Sequence, residues 1–181
     1  MTDTPARTVV DFWRSAGRER WFAANDSFDA NVRQHLLEAH HAAARGERSD
    51  LLTDAEGALA LLLLLDQVPR NVFRGSAHAF ATDGLACRYA DQALAAGFDQ
   101  ETDAELRMFF YLPYTHAEDA ARQRQAVELF SALGDAESLQ WAVVHEDVIQ
   151  RFGRFPHRNM ALGRTTTAEE QAFLDAGGFA G

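Results

Sequence analysis

Eight apolar residues in a row, Ala58 to Leu65, bounded by Gly57 and by Asp66-Gln67, constrain the fold of this chain more than any other feature. A helix needs about 20 such residues to span a bilayer, so the run reads as a central helix buried on every side. A chain of 181 residues with 47% hydrophobic content supplies enough apolar surface to cover it. The expectation is one domain over residues 1–181. Cys87 is the only cysteine, so no intrachain disulfide forms, and it reads as a small buried residue. With no secretory leader visible, the expected location is cytoplasmic and the expected state soluble.

Around that run, helix signals recur and strand signals do not. Thr4-Pro5 predicts a cap followed by proline at the first helical position, leading through Val9, Phe12 and Trp13 to Gly17. A second helix starts near Ser27, carries Phe28, Val32, Leu36 and Ala39 at helical spacing, and ends at Gly46. At four predicted helix starts a threonine precedes a glutamate by three residues, the signature of a capping box: Thr53/Glu56, Thr102/Glu105, Thr115/Glu118 and Thr167/Glu170. Pro69 is expected to end the helix that Thr53 opens, and Pro113 the one that Thr102 opens. Further helices are predicted from Thr82 or Asp83 to Gly97, from Thr115 to Gly134, and from about Ala136 to Gly153. About eight antiparallel helices make an all-α domain.

The formal net charge is −10, which argues against a nucleic-acid partner, since that needs a basic face. All 17 basic residues are arginine. Two stretches contain no acid. Gln67 to Thr82 holds Arg70, Arg74 and His78; Arg151 to Arg164 holds four arginines and His157. They echo each other: Pro69-Arg70-Asn71 and Pro156-His157-Arg158-Asn159, each with an arginine beside a glycine further on. Forked donors projecting from rigid helix ends suit a carboxylate or phosphate. Arginine near a helix C-terminus also meets unpaired carbonyls, and Arg70 and Arg158 have internal partners within reach in Asp66 and Asp147, so a structural role explains the same letters.

A third candidate is the stretch from Tyr111 to Asp119. His116 with Asp119 has the makings of a general base and its orienting carboxylate, while a capped helix start explains the residues equally well. No metal site is predicted. His40-His41 are adjacent and face apart, and His145-Glu146-Asp147 lacks zinc-helix spacing and reads as a solvated polar face. Gly-rich phosphate loops, dinucleotide fingerprints and nucleophile elbows are absent from the sequence, so no cofactor is expected.

Three blocks resemble an uncharacterised bacterial family, domain-of-unknown-function family 924. The first is Leu64-Leu65-Asp66-Gln67-Val68-Pro69-Arg70-Asn71-Val72-Phe73-Arg74-Gly75. The second is Met108 to Pro113 with His116-Ala117-Glu118-Asp119. The third runs from Phe152-Gly153-Arg154-Phe155-Pro156-His157-Arg158-Asn159 through Leu162-Gly163-Arg164 to Glu170. Val68 stands where the family pattern has an aromatic residue, and no polar position is disturbed. The resemblance implies an all-helical, tetratricopeptide-like fold and carries no activity.

The functional expectation is a small anionic ligand held by Asp66, Arg70, Asn71, Arg74, Tyr111, His116, Arg154, His157, Arg158 and Asn159, with no membrane partner. Its rival is a non-catalytic interaction module that binds a peptide or a second copy of itself.

Overall fold

The computed structural model describes residues 4–181, and among them every regular element is helical. The all-α class is as the caps and spacings predict. The described residues fall into two compact units. The first holds the chain up to Arg74 together with His78–Pro113; the second holds Gly75–Ala77 and Tyr114–Gly181. Among the described residues no helix is long and apolar enough to cross a membrane.

In the first unit the main helices are α1 (Ala6–Ala16), α2 (Asp26–Ala44), α3 (Ala55–Leu62), α4 (Val68–Val72) and α5 (Asp83–Ala95). α1 and α5 pack against α3, and α2 packs against α4. Everything from Gly57 to Pro69 is buried. Gly57 is required where α3 crosses the preceding turn, because a Cβ there would collide with the Leu51 carbonyl.

Pro69 does not end this buried helix, contrary to the sequence expectation. The chain widens into a π-helix over Leu63–Gln67, with the Val68 N–H donating to the Leu63 carbonyl five residues back, and continues into α4. Proline has no N–H to give to the carbonyl four residues back, Leu65, or five back, Leu64. Both lie in the core, where an unpaired carbonyl is costly. His40 Nδ1 sits 2.7 Å from the Leu64 oxygen, and Thr82 Oγ1 donates to the Leu65 oxygen. Arg70 Nη1 donates to the next carbonyl, Asp66, at 2.6 Å. A carbonyl only accepts, so His40 carries its proton on Nδ1, and burial holds its pKa below the ordinary histidine value.

Of the four predicted capping boxes, Thr167/Glu170 forms, opening Ala168–Asp175. At the other three an aspartate displaces the threonine. Asp54 accepts from Gly57 N at 2.8 Å, and Asp103 from Leu106 N at 3.2 Å. Asp119 accepts from Ala121 and Arg122 N, both at 2.9 Å. An aspartate caps at least as well as threonine, and its charge suits the positive end of the helix dipole. Likewise Asn25, not Ser27, caps α2, accepting from Phe28 N at 2.9 Å. Pro5 itself occupies the cap position of α1, so the helix starts one residue later than predicted. The single helix expected after Thr102 is three short pieces, Ala104–Arg107, a 3-10 turn at Met108–Phe110, and Leu112–Thr115, with Pro113 inside the last.

The second unit is built on α6 (Ala120–Leu133), α7 (Ala136–Phe152) and α8 (Ala168–Asp175). α6 and α7 form a hairpin across Gly134, whose φ of +79° only glycine adopts readily, and Asp135 then caps α7. A 3-10 turn at Pro156–Arg158 packs on α8.

The proline-bearing helix yields a specific expectation. Thr82→Val removes the donor to the Leu65 carbonyl at constant shape and is expected to cost about 1–3 kcal/mol in urea denaturation. Pro69→Ala restores a backbone N–H within reach of that carbonyl. Thr82→Val should therefore cost clearly less in a Pro69→Ala background than in the natural one, and equal costs would contradict this account of the π-turn.

Candidate functional site

The first Arg-Asn turn is occupied by carboxylates of its own unit. Arg70 is partly buried and bridges Asp66, at 3.1 Å, and Asp83, at 2.8 Å. Burial works against the Arg70 charge, but these two carboxylates outweigh it and hold the guanidinium above its ordinary pKa. With two acids on one cation, the group is formally negative. Arg74 grips Asp29 on α2 with both arms of its fork, at 2.9 and 3.0 Å, and Asn71 Nδ2 donates to the same carboxylate at 2.8 Å. The structural role that the sequence also allowed accounts for Asp66, Arg70, Asn71 and Arg74. The Tyr111 hydroxyl donates to Asp99 at 2.8 Å, and burial together with that carboxylate pushes its pKa well above the usual phenol range.

Three arginines of the second turn are likewise bound. Arg154 forks onto Glu170 at 2.6 and 2.9 Å, which draws the Glu170 pKa down to about 2. The same carboxylate accepts from Asn159 Nδ2 at 3.2 Å and from the Thr167 N–H at 2.8 Å. Arg164 forks onto Glu118 at 2.8 and 2.7 Å, and Glu118 also accepts from the Phe155 N–H at 2.9 Å. Arg151 pairs with Glu169 at 3.1 Å on the surface. Glu118, predicted to close a capping box, is therefore a clasp for Arg164. Asp119 spends its carboxylate on capping α6 and not on orienting His116.

What gathers around Phe155 is different in kind. The Arg158 guanidinium, buried, lies 4.5 Å from the centre of the Phe155 ring. His145 meets the same ring edge-on at 5.6 Å, and His157 lies 5.6 Å from it. His116 reaches His145 at 6.2 Å between ring centres. Phe179 covers His145 at 4.4 Å and His157 at 5.2 Å. Four groups that carry or can take positive charge thus share one aromatic patch. Burial, then the charges of His116, Arg158 and His157, lower the His145 pKa to about 3, against a bond to the Trp141 carbonyl that favours its protonated form. Beside Arg158, Asn159 is buried, and its Oδ1 has no hydrogen-bond partner among the described residues.

His145 departs from the solvated polar face expected of His145-Glu146-Asp147, since its half-buried ring packs on Phe155 and Phe179. The signal was in the spacing: Ala142, His145, Ile149 and Phe152 follow one another at three or four residues, so His145 lies on the inward stripe of α7. Phe179 stands in no motif of the sequence. In the first unit Phe73 gathers a comparable set, with His40 at 5.9 Å, His41 at 6.3 Å, His78 at 5.5 Å and Arg33 at 5.8 Å. Among the described residues no group of three or more His, Cys, Asp or Glu is placed to hold a metal ion.

The sequence profile of a bacterial protein family of unknown function, DUF924, matches residues 9–178. A solved protein of unknown function from Agrobacterium tumefaciens, ATU0120, is 49% identical, with a TM-score of 0.92 over 94% of this chain and 97% of that one. No curated protein matches. With the profile covering nearly its whole length, the chain belongs to the DUF924 family of bacterial proteins, whose function is not known.

Proposed function

We propose that the protein binds a small anionic ligand, a phosphate or a carboxylate, at the cluster of His116, His145, His157 and Arg158 in the second unit. The observation that carries this reading is electrostatic and geometric together. His145, His157 and Arg158 meet around the Phe155 ring and His116 adjoins them through His145, which is kept neutral by burial first and then by the repulsion of the other three. An anion bound among them would reverse that repulsion and let the histidines protonate. Arg70, Arg74, Arg154 and Arg164 hold carboxylates of the protein and contribute framework. The reading requires binding only and assigns no reaction.

Inorganic phosphate, compared with chloride at equal ionic strength, is expected to raise the melting temperature of the protein. A ligand at a hundredfold excess over its Kd adds about 2.7 kcal/mol of stability. His157→Gln and His116→Gln, which leave the buried Arg158 in place, should each reduce the shift, and the double variant should abolish it. An equal shift in all of them, or none in the natural protein, would overturn the proposal.

The same cluster fixes a pH dependence. His145 titrates near 6.5 in the unfolded chain and near 3 in the fold. Between those values the unfolded chain binds more protons, so stability falls as pH drops below 6.5. Denaturation at pH 7, 6 and 5 should show a shallower loss in His145→Gln than in the natural protein.

A further inference from the structure

The segment that follows α8 reaches the same cluster by a constrained route. Gly177 has a φ of +78°, and its N–H closes α8 on the Leu174 carbonyl at 3.0 Å. Gly178 donates to the Phe173 carbonyl at 3.0 Å, and a Cβ there would collide with the Phe173 ring. That ring is itself packed on Phe152 at 5.0 Å. Two successive glycines therefore turn the chain back toward α7, and Phe179 is the next residue. Its ring touches His145, His157, Phe155 and Trp141, at 4.4, 5.2, 6.1 and 6.3 Å. Gly181 brings the backbone to about the closest ordinary approach to His157 Nε2, at 3.1 Å from where its Cβ would lie.

We infer that residues 177–181 are a strap over the histidine–arginine cluster, latched by Phe179, and that a ligand enters by displacing that ring. The inference rests on the anion-binding reading for its ligand. The cover is geometrically independent of that reading. Phe179 is only partly buried, whereas the Phe155 ring beneath it is fully buried. The latch thus lies on top of the packed layer, and one aromatic contact surface holds it down. A ring held by one partly exposed face can leave without unpacking α6, α7 or α8, which is what a gate requires. The two glycines supply the pivot, since a positive φ and a contact that admits no side chain confine the turn to them.

Diethyl pyrocarbonate, which acylates accessible neutral imidazole nitrogen, reads the cover directly, with peptide mapping to locate each adduct. In Phe179→Ala, modification of His145 and His157 is expected to rise severalfold over the natural protein. The exposed His35 of the first unit should react at the same rate in both. Phe179→Leu, which keeps an apolar plug, should fall between and guards against a variant that fails to fold. Phosphate affinity, measured by calorimetry on the same proteins, should be severalfold tighter in Phe179→Ala, because no latch has to be displaced. Unchanged His145 and His157 reactivity in a folded Phe179→Ala would overturn the strap. Raised reactivity with identical phosphate affinity would overturn its role as a gate. If phosphate binds neither protein while the reactivity rises, the cover stands and the anion-binding reading fails.

Discussion

A proline in the middle of a fully buried helix sets the terms for the first unit. Pro69 has no N–H for the carbonyl four or five residues back, Leu65 or Leu64, at a depth where water does not replace it. The π-turn keeps the chain helical through the defect, and two side chains from other elements close it: His40 from α2 and Thr82 from the cap of α5. Those bonds fix how both helices dock on the apolar run. They also explain why Asp66 and Arg70 sit together inside the unit. Arg70 completes the row of acceptors at the Asp66 carbonyl, and its remaining charge is met by Asp66 and Asp83. Asp66 is the buried member of this group, and leaving its carboxylate without the Arg70 charge is costly, while the intact pair adds only modestly to stability.

The arginine-rich turns thus do different work from what their acid-free sequences suggest. Charge that is segregated along the chain is rejoined in space. Asp29 comes from α2 to Arg74, Glu118 from the segment before α6 to Arg164, and Glu170 from α8 to Arg154. Each is a two-armed clasp between segments far apart in sequence, the geometry for which arginine is better suited than lysine. The histidines gather instead around aromatic rings. Six of the seven histidines lie in two groups, around Phe73 and around Phe155.

The helices were legible because their determinants are local. Glycines with positive φ mark the ends of α1, α6 and α7 where the sequence placed stops, and Thr167/Glu170 caps α8 as its spacing predicts. The misplacements share a cause. At three of the four predicted boxes an aspartate lay within a few residues of the threonine, and the stronger acceptor took the cap. Pro69 reads locally as a stop because its rescue depends on His40 and Thr82, residues 29 positions before it and 13 after. The candidate site was half legible. Arg158, His157 and His116 stand in motifs that the eye finds, but Phe179 joins them through a turn made by two glycines, and His145 through a helical stripe. Neither the depressed histidine nor its aromatic cover follows from any contiguous stretch of residues.

The claim at the centre is that protonatable groups around Phe155 accept an anion together. Two-dimensional NMR of the imidazole nitrogens, recorded while inorganic phosphate is added near pH 6, observes each ring separately. The account predicts that His116, His145 and His157 shift in concert toward the protonated pattern with one saturation curve, while His40, His41 and His78 stay where they are. Rings of the second unit that ignore phosphate, or shifts spread evenly over all seven histidines, would contradict it.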